Sequence, residues 1–287
     1  MRQIYVNGVF QSEEHATIPV MDRGFLFGDA IYEVTAVIGG RLVDNDLHLA
    51  RFERSLGELG IPLPLPLAQI REVQHELMRR NAMTDGTIYL QVSRGTAERN
   101  FLPPQGLKPN FVAFTQPKML TDTVAQRNGI SVLPLADPRW NRRDIKTVML
   151  LGQVLAKQQA RAEGYDDVWL HEDGVVTEGA SSTAFILSRD GAIVTRPNST
   201  AILPGCTRRA VLRLIETAPG LRLEERAFTL DEARGAAEAF LTSASNLVLP
   251  VVRIGEAVIG DGTPGPVTRE LQRLYLEAVA MHNPEAA

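Results

Sequence analysis

The stretch Gln116-Pro-Lys-Met-Leu-Thr-Asp-Thr123 constrains this chain more than any other. It is polar, proline-broken and without hydrophobic periodicity, so neither a helical stripe nor a strand face runs through it. Of the 287 residues 44% are hydrophobic, enough for one large core or two modest ones. An interruption at this point favours two. We expect a small N-terminal α/β domain over residues 1–118, a linker at 119–122 and a larger C-terminal domain over 123–287. Both halves mix strands and helices, which makes the fold class α+β, with an interdomain cleft as the natural place for a small ligand.

Local patterns fill in the elements. Ile4 and Val6 alternate before Asn7-Gly8, a hairpin signal. Residues 31–37 are β-branched and apolar, Gly39-Gly40 turns, and Arg41-Leu42-Val43 resumes as a second hairpin. Helices are expected over 47–60 (Leu49, Phe52, Leu56, Leu59) and 67–81 (Ile70, Val73, Leu77). Strands at 87–92 and 111–115 flank a Gly- and Pro-rich loop over 94–109. Further on, a strand at 130–135 precedes a helix over 147–163 with Val148, Leu151 and Leu155 on one face. Short strands follow at 168–170, 175–178, 183–187 and 193–195, with helices at 207–217 and 231–239. The terminal Asn283-Pro-Glu-Ala-Ala287 is expected to fray.

The chemistry centres on a lysine. The chain has four lysines against 26 arginines. Lys108 and Lys118 sit beside prolines in loops, and Lys157 reads as a solvated amine in mid-helix. Lys146, in Arg-Arg-Asp-Ile-Lys-Thr, stands where an extended segment meets a helix. Thirty-two residues on, Glu178 ends a strand and opens the small-residue turn Gly-Ala-Ser-Ser. An amine and a carboxylate, each at the end of an element, suit pyridoxal phosphate: the amine bonds its aldehyde, and the acid holds its ring proton. An ordinary lysine is protonated at neutral pH and becomes nucleophilic when buried or crowded by cations. Arg139, Arg142 and Arg143 are candidates to crowd this one.

Two turns could take an anion. Gly205-Cys206-Thr207 opens a helix carrying Val211, Leu212 and Ile215; Thr207 is a candidate N-cap, and the free N–H groups there attract phosphate. Thr242-Ser243-Ala244-Ser245 is a second hydroxyl-rich turn. Arg51 is either a bidentate phosphate clamp or a surface helix arginine. Tyr32, on an apolar strand, either packs in a core or turns its hydroxyl to the cleft.

Composition excludes other classes. A net charge of −4 with no basic block argues against nucleic acid. One cysteine, Cys206, precludes an intrachain disulfide and fits a reducing compartment. No leader-like start is visible, and no apolar run approaches the ~20 residues of a membrane span. The expectation is a cytoplasmic enzyme with no membrane partner.

These blocks, in order, carry a resemblance: Asp22-Arg-Gly-Phe-Leu-Phe-Gly-Asp-Ala-Ile-Tyr-Glu-Val34, His48-Leu-Ala-Arg51-Phe, Asp144-Ile-Lys146, Thr177-Glu178-Gly-Ala-Ser-Ser182, Leu203-Pro-Gly-Cys-Thr-Arg208 and Leu241-Thr-Ser-Ala-Ser245. The chain resembles the class IV (fold type IV) pyridoxal-phosphate aminotransferases over essentially its full length, and within them most the D-amino acid aminotransferases. The resemblance implies pyridoxal 5'-phosphate as cofactor, with Lys146 bonded to its aldehyde and moving the substrate proton. It implies Glu178 at the ring nitrogen, Leu203 against the ring, and Arg51, Cys206, Thr207, Ser243 and Ala244 around the phosphate. Arg139 and Ser182 would support the site. Tyr32 and Arg99 would take the substrate carboxylate, Arg99 on a loop reaching the neighbouring subunit of a homodimer. A histidine expected two residues after Arg99 is replaced by Phe101, and a lysine and a hydroxyl residue of the family pattern by Ala36 and Ala244. The implied reaction moves an amino group from a D-alanine-like donor to a 2-oxo acid such as 2-oxoglutarate. Branched-chain L-amino acid transfer, (R)-amine transfer and aminodeoxychorismate lyase activity are the alternatives housed by the same fold.

Overall fold

Glycine-centred turns between β-branched runs build the first sheet. A computed structural model describes residues 1–281; the expected fraying at 283–287 lies outside the described residues. Strands β1 (Gln3–Val6) and β2 (Val9–Ser12) join through Asn7 and Gly8 at φ 49° and 99°; a two-residue hairpin turn of this hand needs positive φ at both positions. Helix α1 (Arg23–Phe27) is capped by the Asp22 side chain, which accepts from the Phe25 N–H. Strands β3 (Ala30–Ile38) and β4 (Arg41–Leu42) form the second hairpin. Helix α2 (Asn45–Leu59) stops at Gly60, whose φ of 61° ends the helical course, and α3 (Leu67–Arg80) follows. With β5 (Gly86–Ser93) and β6 (Asn110–Pro117) the sheet has six strands, ordered β2-β1-β6-β5-β3-β4 and antiparallel throughout. Phe52 and Leu56 of α2 and Ile70 and Leu77 of α3 pack with Ile31, Ile88, Leu90 and Phe111 of the strands in one core. That apolar face is why both helices form where their 3.6-residue stripes predict.

The helix expected to open at residue 147 opens at Leu151 instead, as α5 (Leu151–Ala162), because a strand edge claims the residues before it. Hairpin pairing with β4 covers only Val37 and Ile38 of β3, so the other end of that edge needs hydrogen-bond partners. The segment around Lys146 supplies them: the Tyr32 N–H donates to the Lys146 carbonyl (2.9 Å), the Val148 N–H donates to the Ala30 carbonyl (3.1 Å), and Ile31 bridges Thr147. The apolar face expected to be buried is also corrected. Leu151 and Leu155 are 70% and 56% exposed, and α5 buries Ala156 and Ala160.

The second sheet has nine strands. Helix α4 (Val124–Asn128), closed by a Thr123–Gln126 capping box, precedes β7 (Ile130–Ala136). After α5 come β8 (Asp167–Glu172), β9 (Val175–Gly179), β10 (Thr183–Leu187), β11 (Ala192–Thr195), α6 (Cys206–Thr217), β12 (Arg222–Glu225), α7 (Leu230–Arg234), β13 (Glu238–Ser243), β14 (Leu247–Ile254), β15 (Ala257–Val258) and α8 (Pro266–Met281). The order is β12-β11-β10-β13-β14-β7-β8-β9, with β15 on β14. Pairs β11/β12, β14/β7 and β7/β8 are parallel and the others antiparallel, so the sheet is mixed. The helix expected to run to residue 239 ends at Arg234. Glu238 and Ala239 already pair with Leu187 and Ile186, and the Ala237 N–H donates to the Leu187 carbonyl, so sheet pairing takes this stretch from the helix.

The chain forms two compact units, Met1–Leu120 with Ile145–Leu150, and Thr121–Asp144 with Leu151–Ala287. The division is not linear, since the Lys146 segment belongs with the first sheet.

Candidate active site

In the first unit Lys146 and Tyr32 meet through the backbone pairing just described. The lysine Nζ lies 4.2 Å from the Tyr32 ring centroid, a cation–π approach that holds the amine over an aromatic face. Tyr32 stacks on Tyr89 (5.5 Å between centroids), and Tyr89 on Phe114 (4.8 Å), a ladder across three neighbouring strands on one sheet face. The Tyr89 hydroxyl donates to Gln91 Oε1 at 2.8 Å. Burial holds the Tyr89 phenol well above its ordinary range, so it stays a neutral donor. Of the other lysines, Lys157 is ion-paired to Asp167 at 3.0 Å rather than merely solvated.

The next residue on β3 faces the other way, as strand alternation requires. Glu33 is fully buried and accepts from Arg51 Nε at 2.7 Å and Nη2 at 2.8 Å, while His48 Nδ1 lies 2.9 Å from its Oε2. Burial opposes ionisation of Glu33, but Arg51, and after it His48, outweigh that and hold the carboxyl well below its usual range. Arg51 is therefore a buried, oriented cation and not a surface arginine. Arg99 is exposed on the long loop, its Cζ 5.4 Å from the Phe27 ring centroid and 5.8 Å from that of Phe101.

In the second unit the sheet presents Glu178 at the end of β9, fully buried and fixed through both oxygens. Arg139 Nη1 donates to Oε1 at 2.6 Å, and the Leu203 N–H donates to Oε2 at 3.1 Å. Arg139 is itself held by Asp137 through Nε (2.9 Å) and Nη2 (2.7 Å), and Asp137 also accepts from the Thr177 hydroxyl. Burial pushes the Glu178 carboxyl up, against the pull of Arg139 and of the Leu203 amide. Burial of Arg139 works against its charge, yet Asp137 and Glu178 keep it firmly protonated. Arg139, Arg142 and Arg143, the candidates to crowd Lys146, pair with Asp137 and Glu178, with Asp144, and with Glu172 respectively.

The anion turns lie in the same unit. Helix α6 begins at Cys206 behind Gly205, whose φ of −66° and ψ of 130° make it the N-cap with no side-chain hydrogen bond. Thr207 is thus not the cap; it sits buried in the first turn. An added Cβ on Gly205 would meet Thr183 Oγ1 at 2.8 Å and Arg208 Cβ at 3.0 Å, so this backbone approaches its neighbours as only glycine permits. In the turn after β13, Ser243 Oγ accepts from the Asn246 N–H at 3.2 Å and lies 3.4 Å from Ser245 Oγ, with Ala244 half-buried between.

Pyridoxal 5'-phosphate, the group the sequence implies, fits what these units carry. The second offers a buried carboxylate for a ring nitrogen and a helix start without side-chain cap for a phosphate. It also holds Ser182 Oγ and Thr242 Oγ1, buried and without a hydrogen-bond partner among the described residues. Buried hydroxyls are almost always bonded, so two orphans on strands β10 and β13 or their approaches call for a polar guest. The first offers the Lys146 amine and the Arg51 cation.

Sequence reasoning missed Glu33 and His48 as the setting of Arg51, Asp137 and Thr177 as the setting of Arg139, and Tyr89. For Glu33 a signal existed. A carboxylate inside Ile-Tyr-Glu-Val must be buried or ruin the strand, and a buried acid requires a cation.

A family model described as Amino-transferase class IV matches residues 30–254. The D-alanine aminotransferase of Bacillus licheniformis is 39% identical over 270 residues, covering 94% of this chain and 94% of that protein. That of Staphylococcus aureus (strain MSSA476) is 36% identical over 284 residues, covering 99% of this chain and 100% of its own. Among solved structures, the T.th. branched-chain amino acid aminotransferase with pyridoxamine 5'-phosphate superposes with a TM-score of 0.91 at 26% identity, covering 99% of this chain and 95% of that one.

Proposed function

Because the chain belongs to the class IV aminotransferases, we propose that it transfers the amino group of a D-amino acid such as D-alanine to a 2-oxo acid such as 2-oxoglutarate. It is a pyridoxal-phosphate-dependent transaminase of fold type IV. The observation that carries the D-amino acid reading is the 39% identity, over nearly the whole length, to a D-alanine aminotransferase, against 26% to a branched-chain enzyme of the same fold.

When bound, pyridoxal 5'-phosphate supplies an aldehyde for the amino group and a protonated ring that draws electrons from the substrate Cα. This chain's residues do the rest. Lys146 offers the amine for the aldehyde and carries the proton to and from Cα. Glu178, held on both oxygens, would accept the ring N–H, and a charge-assisted bond there would keep the ring protonated. Arg139 and Asp137 fix that carboxylate. The N–H groups of Cys206 and Thr207, the turn at Ser243 and Ala244, and the Arg51 guanidinium would hold the phosphate, Leu203 would pack on the ring, and Ser182 would lend its unbonded hydroxyl. Tyr32 and Arg99 take the substrate carboxylate, with Phe101 in place of a second donor.

The working form is a homodimer in which the Arg99 loop reaches the neighbouring site. Phe101 and Leu102, 80% and 78% exposed at that loop, support this. The reading places the enzyme in the cytoplasm, in keeping with a single, buried, free cysteine; no described helix is long and apolar enough to cross a membrane. The test is an anaerobic half-reaction of the cofactor-loaded enzyme with D-alanine, L-leucine and (R)-1-phenylethylamine, following the absorption of lysine-bound cofactor. Bleaching by D-alanine alone is expected. Bleaching by L-leucine or by the amine instead refutes the D-amino acid assignment.

A further inference from the structure

Arg99 is an exposed side chain on a loop rich in glycine and proline, and such a residue recognises a carboxylate only if something fixes the loop. The something is α1. Arg23, its first residue, is 3% exposed and donates from Nη1 to the Asn100 carbonyl at 2.6 Å and from Nη2 to the Phe101 carbonyl at 3.1 Å. The guanidinium fork thus grips the carbonyls of the two residues that directly follow Arg99. Its remaining edge is committed: Nε donates to Asp29 Oδ2 at 2.8 Å, and Asp29 is in turn held by Arg94 through 2.7 Å and 3.0 Å bonds. Arg94 is tied to the end of α2 through the Leu59 carbonyl at 2.7 Å. The last residue of α1, Phe27, completes the platform. Its ring lies 4.6 Å from the Arg23 Cζ, 5.4 Å from the Arg99 Cζ and 5.5 Å from the Phe101 ring. The loop tip closes on itself through Asn100 Oδ1, which accepts from the Leu102 N–H at 3.0 Å.

We propose that Arg23 and Phe27 are positioning residues for Arg99: the fork of Arg23 fixes the Asn100 and Phe101 carbonyls, the Phe27 ring backs the Arg99 guanidinium, and together they set where the substrate carboxylate is received. Phe101 earns its place here by leaning on Phe27, which accounts for an aromatic ring standing two residues after Arg99. Arg23 and Phe27 bond and pack against the Arg99 loop, so in this reading their loss acts through Arg99. The proposal rests on the reading of Arg99 as the carboxylate receiver.

Three variants of the cofactor-loaded enzyme test it: Arg23→Lys, which keeps a charge for Asp29 but cannot fork to two carbonyls; Phe27→Leu, which leaves every ion pair in place; and Arg99→Ala. Limited trypsin digestion reads cleavage after Arg99, and steady-state kinetics with D-alanine read KM and kcat separately. In Arg23→Lys and Phe27→Leu, cleavage after Arg99 is expected to quicken on the order of tenfold and KM to rise between about tenfold and a hundredfold. The absorption of lysine-bound cofactor and kcat at saturation should stay near those of the parent. If Arg99→Ala raises KM while Arg23→Lys and Phe27→Leu leave both KM and cleavage unchanged, the platform is refuted and the reading of Arg99 survives. If Arg99→Ala itself leaves KM unchanged, the reading of Arg99 falls and the proposal with it. Should Arg23→Lys fail to fold, Phe27→Leu alone decides by the same criteria.

Discussion

Glu33→Gln is the most informative single change outside the reacting groups. The substitution keeps the side chain's shape and one acceptor oxygen but removes the charge facing Arg51 and His48 at 2.7–2.9 Å in a fully buried setting. Removing one member of a buried ion pair costs about 3–5 kcal/mol, because the other is left charged and desolvated. At about 2–4 °C per kcal/mol for a protein of this size, the melting temperature should fall by roughly 6–20 °C. The pH dependence has a definite sign. The folded-state value of Glu33 lies below the ordinary 4.5, so its stabilisation is complete above about that pH and disappears as pH falls through it towards the lower folded value. The Gln variant should therefore be much less stable than the parent at neutral pH, and the gap should close in acid. Thermal melts from pH 3 to pH 8 measure both quantities. A paired change, Glu33→Leu with Arg51→Met, should restore most of the melting temperature, since well-packed apolar residues replace a buried pair at little cost. It should also lose affinity for pyridoxal 5'-phosphate but not for pyridoxal, which lacks the phosphate. A Gln variant that melts within 2 °C of the parent at neutral pH would show that the carboxylate is not a desolvated partner of Arg51, and the reasoning would fail.

Three further outcomes follow from the site. Lys146→Ala should abolish the absorption of lysine-bound cofactor and nearly all turnover; a variant that stayed yellow and active would end the assignment of that amine. Glu178→Gln should retain the colour but lower kcat by about 10²–10³-fold, the usual loss for one group aimed at developing charge, and single-turnover absorbance would read it. Gly205→Ala should raise the dissociation constant for pyridoxal 5'-phosphate, because the new methyl meets Thr183 Oγ1 at 2.8 Å and displaces the start of α6. Equilibrium titration that finds parental affinity would take the phosphate away from that turn.

What the residues revealed in advance was mostly local. Asn7-Gly8 and Gly39-Gly40 announce hairpins because positive φ at both positions is cheap only for such residues, and Gly60 marks a helix end for the same reason. Leu49, Phe52 and Leu56 gave α2 its stripe, and that stripe meets the core. Periodicity could not reveal what an open strand edge far away would claim. The Lys146 segment has the apolar spacing of a helix start but pairs with Ala30 and Tyr32, more than a hundred residues earlier. At the candidate site the lone lysine and the strand-end glutamate were legible from their isolation. The company each keeps was legible only in part: the resemblance names Arg139 and Leu203, but Asp137 and Thr177, which hold Arg139 against Glu178, come together only through the pairing of β7, β8 and β9. Glu33 was visible as an anomaly, and its partners follow from the packing of α2 on β3.

The detour of Ile145–Leu150 into the first unit has a consequence for biosynthesis. As the chain leaves the ribosome, the six-stranded sheet can assemble once Pro117 has emerged, yet the edge of β3 beside Ala30 and Tyr32 still lacks its hydrogen-bond partners. Those arrive only after Thr121–Asp144, the opening of the second unit, has been made. The Lys146 segment is thus the last piece fitted to the domain that holds it, and a nascent chain stalled in that interval would carry a nearly finished sheet with an open edge, the form of an edge strand most prone to pairing with another chain.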